Sequence, residues 1–384
     1  MSLGRAKRSG QRGFTLVELL VATAVLLVVM LVLLQLTGGV GQIWRASSGK
    51  ISAFQNARSA FAVIHRSLAR ATLNTYNDYV DATGAARTAS NTSAFVPDRF
   101  ARASELHFLS GPAAEIVPGA NGLQNPGHAV FFQAPLGETD EANLRTLNRT
   151  LNSLGFYIRF GPPDEALLPE WLRSFFGAGS AQRRFRLVQV VEPTEELGVY
   201  SSTANGTYST EWLNPLGNNP PAGAPRARIL AEDIPLLVIR PRLAPREEET
   251  AASRLGTSYS EATRGSILSP NYHYDSRAWQ SGYPSGQRIN ATAAASQRSA
   301  VMRNQVPSIV DIVMVSVDRQ SLARFDLTSD SPPEVLRVPA GLFSDASRLD
   351  EDLATYSRQL SDAGIRFRTF RTSVELQGAK WSND

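Results

Sequence analysis

The sequence predicts an α+β protein: a long N-terminal helix, apolar in its first half and amphipathic in its second, packed on an antiparallel β-sheet body with long loop insertions. Three observations carry this expectation. Residues 14–36 are an apolar run with no internal Gly or Pro, and at about 1.5 Å per helical residue such a run matches a bilayer core of about 30 Å. Apolar residues then recur at helical spacing from Phe54 to Ala71. Beyond residue 77, short alternating segments are separated by Gly, Pro, Asn and Asp, as antiparallel strands are.

The N-terminal elements have distinct chemistry. Arg5, Lys7, Arg8 and Arg12 form a basic leader over residues 1–13, and the chain then reads Gly13-Phe-Thr-Leu-Val-Glu-Leu-Leu-Val-Ala22. Glu18 stands inside the apolar run, where a charge costs about 2.5–3.5 kcal/mol at a helix centre. A secretory signal peptide carries small residues and a cleavage site after its apolar core, and an ordinary signal anchor leaves Glu18 without a purpose. If the chain were cut after Gly13, the new amine on Phe14 would be expensive in an apolar medium. The Glu18 carboxylate of one copy can meet that amine on a neighbour, so the burial penalty favours assembly in one register.

This decapeptide resembles the cleavage and methylation signature of type IV pilins and pseudopilins. The resemblance implies cleavage after Gly13 by a prepilin peptidase, N-methylation of Phe14, and an assembly role for Glu18. It also implies a helix whose second half packs on antiparallel strands. The basic leader argues for a cytoplasmic N-terminus, a single pass through the bacterial inner membrane over 14–36, and an extracytoplasmic body.

The helix is expected to continue over 37–76, loosened at Gly38, Gly39 and Gly41, with Phe54, Ala57, Phe61, Ile64, Leu68 and Ala71 on one stripe. In the body, 77–384, strands are expected at Glu105–Ser110, His128–Ala134, Leu154–Phe160, Arg184–Val191, Pro235–Leu243, Ile309–Asp318 and Ile365–Leu376. Phe370, Thr372, Val374 and Leu376 alternate onto one face. Ser347 to Ala363 reads as a helix stopped by Gly364, and Glu165–Phe176 as a shorter one. Two excursions are expected: 201–226, rich in Ser, Thr, Asn, Gly and Pro, and 244–300, with little periodicity.

Composition narrows the function. The formal net charge is +4, and removal of the four leader cations leaves the mature chain near neutral, without the clustered basicity that nucleic-acid binding requires. The runs at Arg183–Arg186 and Arg366–Arg368 read as solvated strand faces. There is no cysteine, which excludes thiolate nucleophiles, thiolate metal sites and disulfides. His65, His107, His128 and His273 are scattered, and Asn271-Tyr-His-Tyr-Asp275 reads as a polar turn in preference to a catalytic constellation. No nucleophile-elbow, P-loop or dinucleotide fingerprint is present, so the chain reads as a non-enzyme without a cofactor. Calcium is the cofactor question worth posing, at Glu138, Asp140 and Glu141 or at Asp345, Asp350 and Asp352. Neither group has the spacing of a calcium loop.

The segment Ile229-Leu-Ala-Glu-Asp-Ile-Pro-Leu-Leu-Val-Ile-Arg-Pro241, with Phe370-Arg-Thr-Ser-Val-Glu-Leu376, resembles the large minor pseudopilins of the J type and PilW-like proteins. The ending Val374-Glu-Leu-Gln-Gly-Ala-Lys-Trp381 is similar to the cassette protein C family (the Verru_Chthon cassette). These resemblances imply a minor or tip subunit of a type II secretion-like pseudopilus, whose partners are prepilin peptidase, other pilin-like subunits, the inner membrane and an assembly machinery. The alternatives are a minor pilin of a surface type IV pilus, serving adhesion or DNA uptake, and a membrane-anchored extracytoplasmic binding protein or hydrolase.

Overall fold

The structure is a computed structural model and describes residues 16–87, 91–162, 182–201, 210–217, 226–278, 298 and 300–381, with backbone alone at 32, 34–53, 201 and 226. The chain divides into two compact units, Met1–Ser52 and Ala53–Asp384. Helix α1 is Leu16–Ala69 and passes Gly38, Gly39 and Gly41 without a break. In the larger unit its stripe is covered: Ala57, Ala60, Ile64 and Leu68 are buried, while Arg58 and Arg66 stay exposed. Phe61, at the stripe's edge, lies 5.8 Å from the ring of Phe370.

The helix stops at Ala69, short of the expected residue 76. The Thr72 N–H donates to Gln133 O at 3.0 Å, Asn74 adopts φ +45°, and Leu73 is buried. The backbone bond to a strand therefore replaces the next helical turn.

Eleven strands follow among the described residues: β1 Tyr76–Val80, β2 Arg99–Ala103, β3 Leu109–Pro112, β4 His128–Pro135, β5 Leu151–Gly161, β6 Arg184–Glu192, β7 Arg226–Glu232, β8 Leu236–Arg242, β9 Tyr274–Asp275, β10 Ile309–Val317 and β11 Phe367–Glu375. All pairings are antiparallel. They build a two-stranded ribbon β1-β2, a three-stranded sheet β11-β10-β8 and a six-stranded sheet β7-β6-β5-β4-β3-β9. Helix α2 is Pro245–Arg254 and α3 is Leu349–Asp362, closed by Gly364 at φ +65°. This is an α+β, pilin-like arrangement: an N-terminal helix followed by antiparallel sheets.

Strands β4, β5 and β6 are buried along nearly their whole length, so both faces of the six-stranded sheet are covered. The register puts different chemistry on each. One face carries Phe108, Phe132, Leu154, Phe156, Phe160 and Phe185, with Phe132 and Phe156 stacked at 6.2 Å and Phe160 and Phe185 tilted against each other at 4.7 Å. Burial of such rings contributes about 1.5–3 kcal/mol each. The opposite face carries His107, Phe131, Gln133, Ser153, Gly155 and Glu192. Phe131 pairs across the ladder with Gly155 and lies over it: a Cβ at 155 would be 2.5 Å from Phe131 Cε1.

Where β4 begins, the two larger sheets meet. Gly127, at φ +72°, passes so close to β8 that a Cβ would be 2.4 Å from Leu237 O. Only glycine meets both demands. His128 then accepts the Ile239 N–H at Nδ1 (3.1 Å), which fixes Nε2 as the protonated nitrogen, and Nε2 is 3.2 Å from Phe343 O. A side chain thus completes the ladder at the second edge of β8.

Several expectations change. The strand expected from Glu105 is β3 and begins at Leu109, four residues later, because Ser104, His107 and Phe108 spend hydrogen bonds on Leu73 O, Gln133 and Ser276 before the ladder starts. Strands β1, β2, β7 and β9 lack the alternation that makes a strand legible. The run at Arg184–Arg186 is no solvated face. Arg186 is 3% exposed and pairs with Glu232, and Arg184 pairs with the buried Asp233.

The expected excursion at 244–300 is overturned over 245–278. It forms α2, supplies β9 and buries Ala251, Ile267, Leu268, Tyr272 and Tyr274. In the other excursion Glu211–Leu216 form a 3₁₀ segment that buries Trp212, Leu213 and Leu216. The remainders, 279–297, 202–209 and 218–225, lie outside the described residues, as does the expected helix at Glu165–Phe176.

The glycine–aromatic pair gives a direct test. Gly155→Ala should destabilise the protein by about 1–3 kcal/mol, because the Phe131 ring must leave its place in a close-packed layer. Chemical denaturation of the full chain in detergent measures the loss. Adding Phe131→Leu should leave a smaller penalty than the sum of the two single changes.

Candidate functional site

The N-terminal half of α1 exposes apolar side chains all round. Leu16 is 79% exposed, Leu27 67% and Leu33 54%, and Val17, Leu19, Leu20, Val25, Met30 and Leu31 are exposed with them. A helix that is apolar on every side is stable only when lipid or other helices surround it. Glu18 sits in its first turn, so a carboxylate enters that apolar environment with the helix N-terminus beside it, where the macrodipole favours negative charge. Gly13 and Phe14 lie outside the described residues. Among the described residues, no helix is long and apolar enough to cross a membrane.

The second constellation is internal. His107, 0% exposed, has Nε2 2.8 Å from Asp275 Oδ1 and accepts the Trp212 indole N–H at Nδ1, 3.1 Å away. The indole bond assigns the proton to Nε2, which donates to the Asp275 carboxylate. Burial pushes the His107 pKa down against the pull of Asp275, and Asp275 stays below its ordinary value because His107 offsets the cost of burial. From His107 the network continues sideways. The His107 backbone N–H donates to Gln133 Oε1 at 2.8 Å, Gln133 Nε2 donates to Ser153 Oγ at 3.4 Å, and Glu192 stands opposite Ser153 in the ladder. Glu192 Oε1 also accepts the Gly198 N–H at 3.1 Å. A polar stripe therefore runs from Asp275 on β9 through His107, just before β3, to Gln133 on β4, Ser153 on β5 and Glu192 on β6.

This stripe holds the Asp–His half of a hydrolytic constellation, yet both imidazole nitrogens are engaged and the pair is closed to solvent. General-base work needs a free lone pair within reach of a substrate proton. His273, expected in a polar turn, is instead 3% exposed in the residue before β9, and Asp275 turns to His107. His65 is on α1, and His128 is the clasp between sheets. Sequence reading missed the His107–Asp275 pair because 168 positions separate its members. The visible signal was a histidine and a glutamine inside otherwise apolar strands.

Four of the acids weighed for calcium, Glu138, Asp345, Asp350 and Asp352, have their carboxylates engaged within the body. Arg228 grips Glu138 in a two-pronged pair at 2.6 and 3.0 Å, and Asp140 receives Glu195 at its N–H. Asp345 caps Ser347 N at 2.9 Å, Asp350 pairs with Arg371, and Asp352 accepts the Phe343 N–H. Among the described residues, no three His, Asp or Glu are grouped to hold a metal ion.

Two buried groups make opposite pH predictions. Burial pushes His128 from 6.5 down to about 4. The unfolded chain then takes up a proton that the folded one refuses, so this contribution is whole above pH 6.5 and is lost as pH falls toward 4. It amounts to about 3 kcal/mol across the window. Burial raises Glu192 from 4.5 to about 7, so its contribution is present below pH 4.5 and fades as pH rises to 7. His128→Gln should therefore flatten the rise of unfolding free energy from pH 4 to 6.5. Glu192→Gln, which mimics the protonated acid, should gain stability over the natural chain at pH 8 relative to pH 5. Urea titrations of the three proteins at these pH values check both signs.

No curated protein matches the sequence at significant similarity. Residues 8–34 match the Prokaryotic N-terminal methylation motif. That motif implies a membrane-anchored N-terminal segment, processing by prepilin peptidase and assembly with pilin-like subunits. With the exposed apolar helix and the antiparallel sheets behind it, the match supports a type IV pilin-like family.

Proposed function

We propose that the protein is a structural, non-enzymatic subunit, cut after Gly13, methylated on Phe14, and built as a minor or tip component into a type II secretion-like pseudopilus. The observation that carries this reading is the methylation motif at 8–34, running into a helix whose apolar side chains are exposed on every side. In the inner membrane, with the N-terminus cytoplasmic and the body outside, residues 14–36 hold the subunit until assembly. In the filament, the Phe14 amine of one subunit and Glu18 of the next neutralise each other in an apolar seam. Calcium plays no part in this reading, and the partners are the peptidase, the assembly machinery and other pilin-like subunits.

Gly13→Val should block processing, and mass spectrometry of the N-terminal peptide should find N-methyl-Phe14 only in the natural chain. Glu18→Ala should insert as well or better, since a charge is removed from the apolar layer, yet crosslink into filaments less. Intact Met1–Gly13 in cells with an active prepilin peptidase would sink the processing step. Equal crosslinking would sink the pairing.

The tip assignment rests on bulk. A repeating shaft subunit must present nearly the same outline at every step, because heterologous contacts generate the helix. The unit Ala53–Asp384 carries two sheets and a separate ribbon, a large outline to repeat. Gold labelling of an epitope inserted within residues 202–209 should mark filament ends. Regular labelling along the shaft would make this a major subunit, and labelling on surface fibres would favour a type IV pilus.

A further inference from the structure

The edges of the sheets are managed unequally. In the six-stranded sheet, β9 is two residues long and β7 meets β6 with a register break at Leu187/Val188. In the three-stranded sheet, the β8 edge is capped where Ile239 donates to His128. Strands β1 and β2 are five residues each. Short strands, bulges and covers are how sheets avoid unwanted pairing. Strand β11 has none of these: nine residues pair with β10 in unbroken register and contain no proline.

The ladder tells which groups point outward. Leu376 N–H donates to Ser308 O and Arg366 O accepts from Asp318 N–H, so even-numbered residues face β10. Phe367, Thr369, Arg371, Ser373 and Glu375 therefore turn their backbone N–H and C=O away from the sheet. Among the described residues no backbone group bonds to Phe367–Glu375 on this side; past the strand's end, Gln377 N–H donates to Ala69 O at 2.9 Å. Its flanking charge is mostly of one sign: Arg366, Arg368 and Arg371 are exposed, with Glu375 at the far end. Arg371 is partly answered by Asp350.

We infer that the outer edge of β11 is a docking edge for an extended, acidic segment of a different protein chain, which adds a fourth antiparallel strand to the β11-β10-β8 sheet. Backbone hydrogen bonds supply the affinity in such strand addition, and side chains supply the choice of partner. Opposed residues on neighbouring strands sit about 4.5–5.5 Å apart, so carboxylates opposite Arg366, Arg368 and Arg371 would each meet a cation. A second copy of this chain is disfavoured, because β11 paired antiparallel with itself about its middle sets Arg371 against Arg371.

The test uses the full chain in detergent and a labelled peptide of alternating Val and Thr with glutamates at its first, fourth and sixth positions. A second peptide has lysines in their place. The glutamate peptide should bind, and hydrogen exchange should slow at Thr369, Arg371 and Ser373. Thr369→Pro removes an outward N–H without costing a bond to β10, and should weaken binding roughly tenfold or more. Arg366→Glu with Arg368→Glu should reverse the preference to the lysine peptide, which a variant that merely unfolds would not do. Equal binding to Thr369→Pro, no slowing of exchange on β11, or self-association of the chain through this edge would overturn the assignment. So would capture of a single-stranded oligonucleotide that ignores the proline, since that would mark diffuse charge attraction.

Discussion

Strand β4 cannot be buried on both faces unless every polar group it carries finds a partner, and the body is arranged around that constraint. An unpaired buried polar group costs about 1–3 kcal/mol, comparable to what a core side chain contributes. Gln133 answers it in three directions, its carbonyl taking Thr72, its amide oxygen taking His107 and its amide nitrogen reaching Ser153. His128 answers it at the other end by bonding Ile239 and Phe343. The chain leaving α1, strand β3, strand β8 and the loop before α3 are thus tied to one strand.

Those ties also give the sheet its register. A one-residue slip would carry Gln133, Ser153 and Glu192 to the aromatic face and Phe132 and Phe156 to the polar one. The polar stripe therefore specifies pairing that apolar contacts alone would leave degenerate, at the cost of groups whose protonation matters. His128 and Glu192 pull stability in opposite directions between about pH 4.5 and 6.5.

The two units divide the work. In Met1–Ser52 the described side chains are exposed and, apart from Glu18 and Thr23, apolar, a surface suited to lipid or other helices. In Ala53–Asp384 most large apolar groups are spent inside, and those left exposed, such as Val96 and Phe100, are few. A subunit that must first sit in a membrane and then polymerise needs this division. The unguarded edge of β11 is the place where the body offers backbone hydrogen bonds to a partner.

The N-terminal motif is legible in the sequence by itself, because it is local: Gly13, Phe14 and Glu18 lie within a few positions of one another inside the matched residues 8–34, and the pattern depends on spacing. The sequence also determined the covered stripe of α1, the helix closed by Gly364 and the central strands, where burial imposes a period that composition displays. Only the tertiary structure decided the fate of 245–278, the burial of Arg186 and the pairing of His107 with Asp275. Residues there are held by hydrogen bonds and ion pairs to partners far away in sequence, and such bonds impose no period. His273 and Asp275 read as a polar turn for that reason: a histidine and an acid in a loop look solvated until another segment, here the stretch from His107 to Gly111, packs against them.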